Sequence, residues 1–299
     1  MLTFVLQNYF PVRMKSIFRT IAALFTVLVA VSCNIDFIYV QLPNTSWTIE
    51  QGEQKAFVHF GTNERVSILQ RSNANGAVQL INGTFDADGH SVNVLSDEGA
   101  TNKLVRTFTH LKNSSNKNFS RFSPQDYSSL ENTIWATVRK DVFRLFFLAP
   151  GGEMTQLSFK NVIHEEGVPY GWEKQKGSYS VNGSHVTLGQ ESGILFPEVM
   201  LVDDTWFMHF PVNGDEGTSA LTGSIWTYRS SGYPGVIIFD TNSSFTRVLM
   251  ASRTLFQVTQ GSYTLSGNTV TMTLDGKTES CEMSGNSFTL MEKTYDKYE

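Results

Sequence analysis

Cysteine is nearly absent: Cys33 and Cys281 are the two in 299 residues, which excludes a disulfide framework. Charge is sparse too, with 17% Asp, Glu, Lys and Arg and no basic run. Nucleic-acid binding rests on Lys and Arg neutralising phosphates, so no nucleic-acid partner is expected. Beyond the N-terminus no stretch sustains an apolar period of 3.6 residues, which excludes helix as the main element. The signatures of catalysis are missing as well. None of the histidines His59, His90, His110, His164, His185 and His209 stands at metal-ligand spacing from another His, Cys or acid, so neither metal nor other cofactor is expected. No Gly-x-Ser-x-Gly elbow and no phosphate-cradling glycine loop occurs. The acid pairs Glu165-Glu166 and Asp203-Asp204 are adjacent, and neighbours on a strand point to opposite faces, which does not suit a glycosidase pair. The expectation is a protein that is not an enzyme.

What is present begins with a targeting pattern. Met14-Lys15 and Arg19 precede the apolar run Ile21 to Val31, which ends at Ser32-Cys33. An eleven-residue run is shorter than the roughly 20 residues needed to cross a bilayer. The other reading, an uncleaved anchor from Thr20 to Val40, meets the interruptions Asn34 and Asp36. Setting aside the first 32 residues, which hold Arg13, Lys15, Arg19 and no acid, leaves 20 basic residues against 28 acidic, a balance of about -8. Leu28-Val-Ala-Val-Ser-Cys33 resembles the lipobox of bacterial lipoproteins, with Ala30 where that family usually carries Leu. The resemblance implies residues 1-33 as a signal peptide with lipobox and Cys33 as the lipidated residue. It also implies a mature chain held by its N-terminal lipid in the bacterial cell envelope, at the outer membrane, periplasmic or surface-exposed. Met14 makes the more usual start for such a signal than Met1. Cys281 is then left without a partner and shares one face of an alternating segment with Met283, as a buried small apolar residue would.

The body repeats itself. Asn44-Thr-Ser-Trp47, Asn132-Thr-Ile-Trp135 and Gly223-Ser-Ile-Trp226 each open a unit, with the tryptophans 88 and 91 residues apart. Strand-like runs follow at Ala56 to Phe60, Val142 to Leu148 and Gly235 to Phe239. Later in each unit comes one hairpin design: Gly83-Thr-Phe85 to Val94, Gly177-Ser-Tyr179 to Leu188, and Gly261-Ser-Tyr263 to Met272. A last hairpin is expected to close each unit around Phe108, Phe207 and Phe288. Linker compositions at Lys112 to Pro124 and Pro211 to Ser219 place β modules at residues 42-115, 130-212 and 221-293. The fold class is therefore all-β, three tandem small antiparallel barrels or sandwiches of six to eight strands. The opening tryptophan, the Gly-x-Tyr hairpin and the meander order resemble the small lipocalin-like modules of exported Bacteroidetes lipoproteins. A full lipocalin has about twice the residues per barrel, so inward aromatics are expected to fill these cores rather than leave a calyx.

Unit two departs from the other two. From tryptophan to hairpin glycine the spacing is 36, 42 and 35 residues, and the surplus falls in Val162 to Lys174. That loop carries His164, Glu165, Glu166, Tyr170 and Trp172, paired aromatics beside acids, which is a common carbohydrate platform. The alternative is that Trp172 covers a barrel end or packs on a neighbouring unit. The functional expectation is a lipid-anchored protein that binds a glycan or protein through its loops. The alternatives are a lipocalin-type carrier of an apolar ligand and a purely structural envelope component. An open apolar cavity inside a module would favour the carrier.

Overall fold

The computed structural model describes residues 39–139, 142–160, 171–211, 219–228, 233–240, 243–274 and 276–298. Cys33, His164, Glu165, Glu166 and Tyr170 lie outside them. The described chain is all-β, and its helical content is a single 3-10 turn at Pro150–Gly152.

Each unit is an eight-stranded meander. The first comprises β1 (Thr45–Gln51), β2 (Gln54–Phe60), β3 (Arg65–Ser72), β4 (Ala77–Asp88), β5 (Ser91–Ser96), β6 (Thr101–Arg106), β7 (Leu111–Lys112) and β8 (Asn118–Arg121). Pairing of β8 with β1 closes this ring as barrel 1. The second comprises β9 (Thr133–Arg139), β10 (Val142–Leu148), β11 (Glu153–Lys160), β12 (Gly171–Asn182), β13 (His185–Leu188), β14 (Glu191–Phe196), β15 (Val199–Val202) and β16 (Thr205–Pro211), closed by β16 on β9 as barrel 2. The third comprises β17 (Ile225–Tyr228), β18 (Gly235–Phe239), β19 (Ser244–Met250), β20 (Leu255–Ser266), β21 (Thr269–Leu274), β22 (Lys277–Glu282), β23 (Ser287–Leu290) and β24 (Lys293–Lys297). Here β24 returns to β17, while β22 and β23 share no ladder among the described residues.

The repeated opening has a local cause. The indole N–H of Trp47 donates to Thr45 Oγ1 at 2.8 Å, that of Trp135 to Thr133 Oγ1 at 2.9 Å, and that of Trp226 to Ser224 Oγ at 2.8 Å. Each hydroxyl in turn donates to the carbonyl three residues earlier, on Leu42, Leu130 and Leu221. The residue before the hydroxyl sits in the left-handed region, at φ 57° for Asn44 and Asn132 and 74° for Gly223, where Asn and Gly are tolerated. The polar edge of a buried indole is thereby satisfied within the turn that delivers it.

Four apolar clusters organise the interior. One lies inside each barrel, around Trp47, Trp135 and Trp226 respectively. The fourth lies between the barrels and draws on all three: Phe57, Leu69 and Val78; Phe143, Leu157 and Trp206; Val236, Val248 and Phe256. Strand alternation divides the two sets, since Phe57, Leu145 and Val236 face the shared core while Val58, Phe146 and Ile237 face their own barrels. Burial on both faces explains why these strands read as continuous apolar runs. Barrels 1 and 3 are also joined by main chain, Ala77 to Gln79 pairing with Gln257 to Leu255. Barrels 1 and 2 are joined by the ion pairs of Glu198 with Lys55 and Arg71.

Two expectations need correction. Phe108 does not close the first unit: it is 65% exposed, and Phe119 on β8 takes the inward position that Phe207 holds in barrel 2. Strand β8 runs to Arg121 inside a stretch of linker composition, because Phe119 buries its ring there and Arg121 lays its guanidinium 4.1 Å over Trp47. The second is the filled interior expected of every module: Trp47, Phe60, Phe85 and Phe119 do pack inside barrel 1, but its β1–β2 end is left open.

Candidate ligand-binding site

Barrel 1 holds an open cavity of about 500 Å³ at the end where β1 turns into β2. Ile49, Ala56, Val58, Ile68, Ile81, Leu104 and Phe119 make its apolar wall. Gln51, Gln54, Gln70, Asn102 and Asn113 stand at its polar rim with Lys55 and Lys103, and no carboxylate lines it. The opposite end is shut. Arg106, 5% exposed, donates through Nε to Gly89 O at 2.6 Å, and its guanidinium lies 5.3 Å from the Tyr39 ring.

The register explains why one barrel is open. Cross-strand pairs anchored on the three tryptophans and the three hairpin glycines place Ala56, Arg144 and Gly235 at one position. Val58, Phe146 and Ile237 share the next inward position, then Ile68, Gln156 and Arg247, then Ile81, Gln175 and Thr259. Asn102 matches Glu191 and Glu279. In barrel 2 the mouth is occupied by Arg144, paired with Glu191 at 2.7 Å and lying 5.1 Å from the Phe146 ring. In barrel 3 Arg247 fills the same level, bonded to Thr259 Oγ1, while Glu279 accepts from the Met291 N–H. Barrel 1 has neither the arginine nor the glutamate: Ala56 and Ile68 stand at the two arginine positions and Asn102 at that of the glutamate. On the inner face of barrel 2, at the corresponding end, a polar cleft of about 380 Å³ is lined by Gln156, Ser158, Glu173, Lys174 and Gln175.

The residues singled out from the sequence are not brought together around this cavity. Of the five candidate residues on the unit-two loop, Trp172 alone is described. It is half-buried at the start of β12, with its ring centroid 5.1 Å from Phe159 and 6.1 Å from Phe143. By register it matches Val78 and Phe256, both facing the shared core, and its indole N–H finds no acceptor among the described residues. Cys281 is buried inside barrel 3, and burial first, then Glu279 and Glu282, push its thiol pKa up, which suits an inert side chain. One constellation escaped the sequence entirely: Ser46 Oγ lies 3.0 Å from His59 Nδ1, and His59 Nε2 lies 3.4 Å from Asp204 of barrel 2. The members resemble a hydrolytic triad. Ser46 is 7% exposed and lines none of the described cavities, so the trio fits a polar pin between two barrels rather than a reaction centre. Among the described residues no group of three His, Cys, Asp or Glu side chains could hold a metal ion.

No protein-family model matches the chain, and no curated protein matches it. Among solved structures it is similar to the DNA polymerase III subunit beta from Pseudomonas aeruginosa, at 7% identity and TM-score 0.12, with 86% of this chain and 93% of that chain covered. It is similar also to a DNA polymerase III subunit beta DnaN sliding clamp from Bartonella birtlesii LL-WM9, at 10% identity and TM-score 0.13, covering 86% and 92%. Scores of that size carry no relationship in fold or function.

Proposed function

We propose that this chain is an exported bacterial lipoprotein, anchored through Cys33, that takes a small apolar ligand into barrel 1 without transforming it. The single observation that carries the ligand reading is the open, largely apolar cavity of about 500 Å³ in barrel 1, within the range of small-molecule sites. Its wall is aliphatic and aromatic while amides ring the mouth, a division that favours burial of an apolar body and leaves any polar end in water. A lipocalin-like carrier role fits that geometry better than a purely structural one, because a scaffold gains nothing from leaving one barrel unfilled.

The test uses N-phenyl-1-naphthylamine, a neutral apolar dye, titrated into the acyl-free mature chain. Saturable fluorescence is expected, and the double change Ala56→Arg with Asn102→Glu, which copies the mouth of barrel 2, should abolish it. A wild-type chain that does not bind, or a plugged variant that binds equally, rules the reading out.

A second reading, glycan contact at the unit-two loop, is favoured by the polar cleft beside β12, whose Gln156, Glu173 and Gln175 offer hydroxyl partners. Tyr170→Ala with Trp172→Ala should then remove binding to a captured oligosaccharide at unchanged melting temperature. A large drop in melting temperature would assign Trp172 to packing.

A further inference from the structure

The closed end of barrel 1 carries the most exposed large apolar side chain among the described residues, Phe108 at 65%. It stands at the tip of the turn between β6 and β7, as far from the cavity mouth as the barrel allows. The ring is held in place: it stacks on Tyr39 at 5.7 Å and 15°, and Tyr39 in turn meets the edge of His90 at 4.8 Å. The incoming chain is tied to the same turn, since the Val40 N–H donates to Thr107 O at 3.0 Å and the Thr107 N–H to His110 O at 2.8 Å. Tyr39 follows Cys33 by six residues, a separation that extended chain spans with at most about 20 Å.

We infer that this end of barrel 1 rests on the lipid bilayer, with the Phe108 ring at the headgroup level and the cavity mouth turned toward water. The inference rests on the reading of Cys33 as a lipid anchor and adds to it a docking face and an orientation. An aromatic ring that is costly to leave in water gains by inserting at the headgroup boundary, as Trp, Phe and Leu do in peripheral interfacial segments. Thr107, Thr109 and His110 beside it carry no acid, and Arg106 is buried. Glu64 on the β2–β3 turn and Asp88 at the end of β4 oppose an anionic surface, which confines the contact to interfacial depth. A ligand would then enter and leave barrel 1 from the aqueous side rather than directly from the membrane.

The experiment uses the full lipidated chain on phosphatidylethanolamine and phosphatidylglycerol vesicles containing lipid brominated near the headgroup. Emission is compared for Phe108→Trp and for Ser114→Trp, Ser114 lining the cavity mouth beside Asn113, each over the background of the five native tryptophans. The Phe108→Trp chain should lose most of its added emission to bromine, and the Ser114→Trp chain almost none. Quenching at the mouth, or at neither site in a chain that floats with the vesicles, overturns the orientation and leaves the anchor standing. A chain that neither carries lipid nor floats overturns both. A blue shift of the Phe108→Trp emission that grows with protein concentration without vesicles assigns the face to a second copy and also overturns the inference.

Discussion

Barrel 1 and barrel 2 share strand number, register and the hydrogen-bonded tryptophan turn, yet the mouth of one is apolar and open while that of the other is polar and carries an arginine–glutamate pair. The difference comes down to a few inward positions. Where barrel 2 has Arg144, Phe146 and Glu191, barrel 1 has Ala56, Val58 and Asn102. Barrel 3 reaches occupancy by another route, with Arg247 one strand over and Glu279 opposite. A charged pair at a barrel mouth is a compact plug, because the arginine stem covers apolar wall while the head stays bonded and partly wet. In a repeated frame of this kind, positions set by turn and core chemistry recur, and positions free of those constraints are where the copies diverge in what they can bind.

The largest effect expected from breaking this comparison lies in what the barrels share. Trp47, Trp135 and Trp226 are each at most 2% exposed, so replacing any of them by Ala should cost about 3 to 5 kcal/mol. Because one core joins all three barrels, each variant should melt in a single transition at lower temperature. Calorimetry showing three separate transitions would mean that the shared core contributes little.

Next in size is a contrast between barrels 2 and 3 in their response to pH. Burial pushes His209 down from 6.5 to about 4, with Glu198 opposing and Arg71 adding to the shift; its ring stacks on Trp135 at 4.6 Å. Between those values the unfolded chain binds more protons, so its contribution to stability falls by roughly 3 kcal/mol as pH drops from about 6.5 to about 4. Asp240 runs the other way. Burial raises it from 3.8 to about 7, with the Thr246 hydrogen bond opposing. The folded chain then binds more protons, and its contribution declines by roughly 4 kcal/mol as pH rises from about 4 to about 7. The two nearly cancel in the wild type, so single variants separate them. Denaturant melts should show His209→Phe less sensitive to acid and Asp240→Asn more stable at pH 8; profiles parallel to the wild type would sink both assignments.

A smaller effect follows from opening barrel 2. Removing Arg144 leaves Glu191, whose Oε2 is already buried without a partner among the described residues, and exposes the Phe146 level to solvent. Both side chains are partly wet, so Arg144→Ala should cost about 2 kcal/mol rather than the larger penalty of a fully buried broken pair. Adding Glu191→Asn should recover part of that loss and create a second dye site. Dye stoichiometry unchanged from the wild type would show that the arginine is not what keeps barrel 2 closed.

Much of the frame was legible. The tryptophan spacing, the Asn or Gly before each hydroxyl and the hairpin glycines specify three units of one design, since each rests on a turn that few residue types can make. The association of the barrels was written in Phe57, Phe143 and Val236: an inward-outward alternation that is apolar on both faces needs cover on both. Phe108 was misjudged because periodicity shows which residues share a face and not which aromatic is kept inside, and Phe119 was masked by its Asn- and Ser-rich surroundings. The cavity was readable as well, but only from a position-by-position alignment of inward residues. Apolar content sees Ala56 and Val58 as core without weighing their size.

Side-chain size also governs the smallest effect expected. Val58 is 1% exposed and borders the cavity, at the position where barrel 2 carries Phe146. Val58→Phe adds a ring to open space rather than to packed wall, so the overpacking that usually penalises such a change does not arise. The ring would bury apolar surface now in contact with water, and a gain of about 1 kcal/mol is expected. Dye binding should weaken at least tenfold in the same variant. Stability rising while binding falls is the behaviour of a site kept unfilled for a ligand, a trade seen where function costs packing. If Val58→Phe loses stability, the wall of barrel 1 is less yielding than its register with barrel 2 implies. If it gains stability and still binds dye, the ligand sits nearer the Lys103 rim than the aliphatic floor.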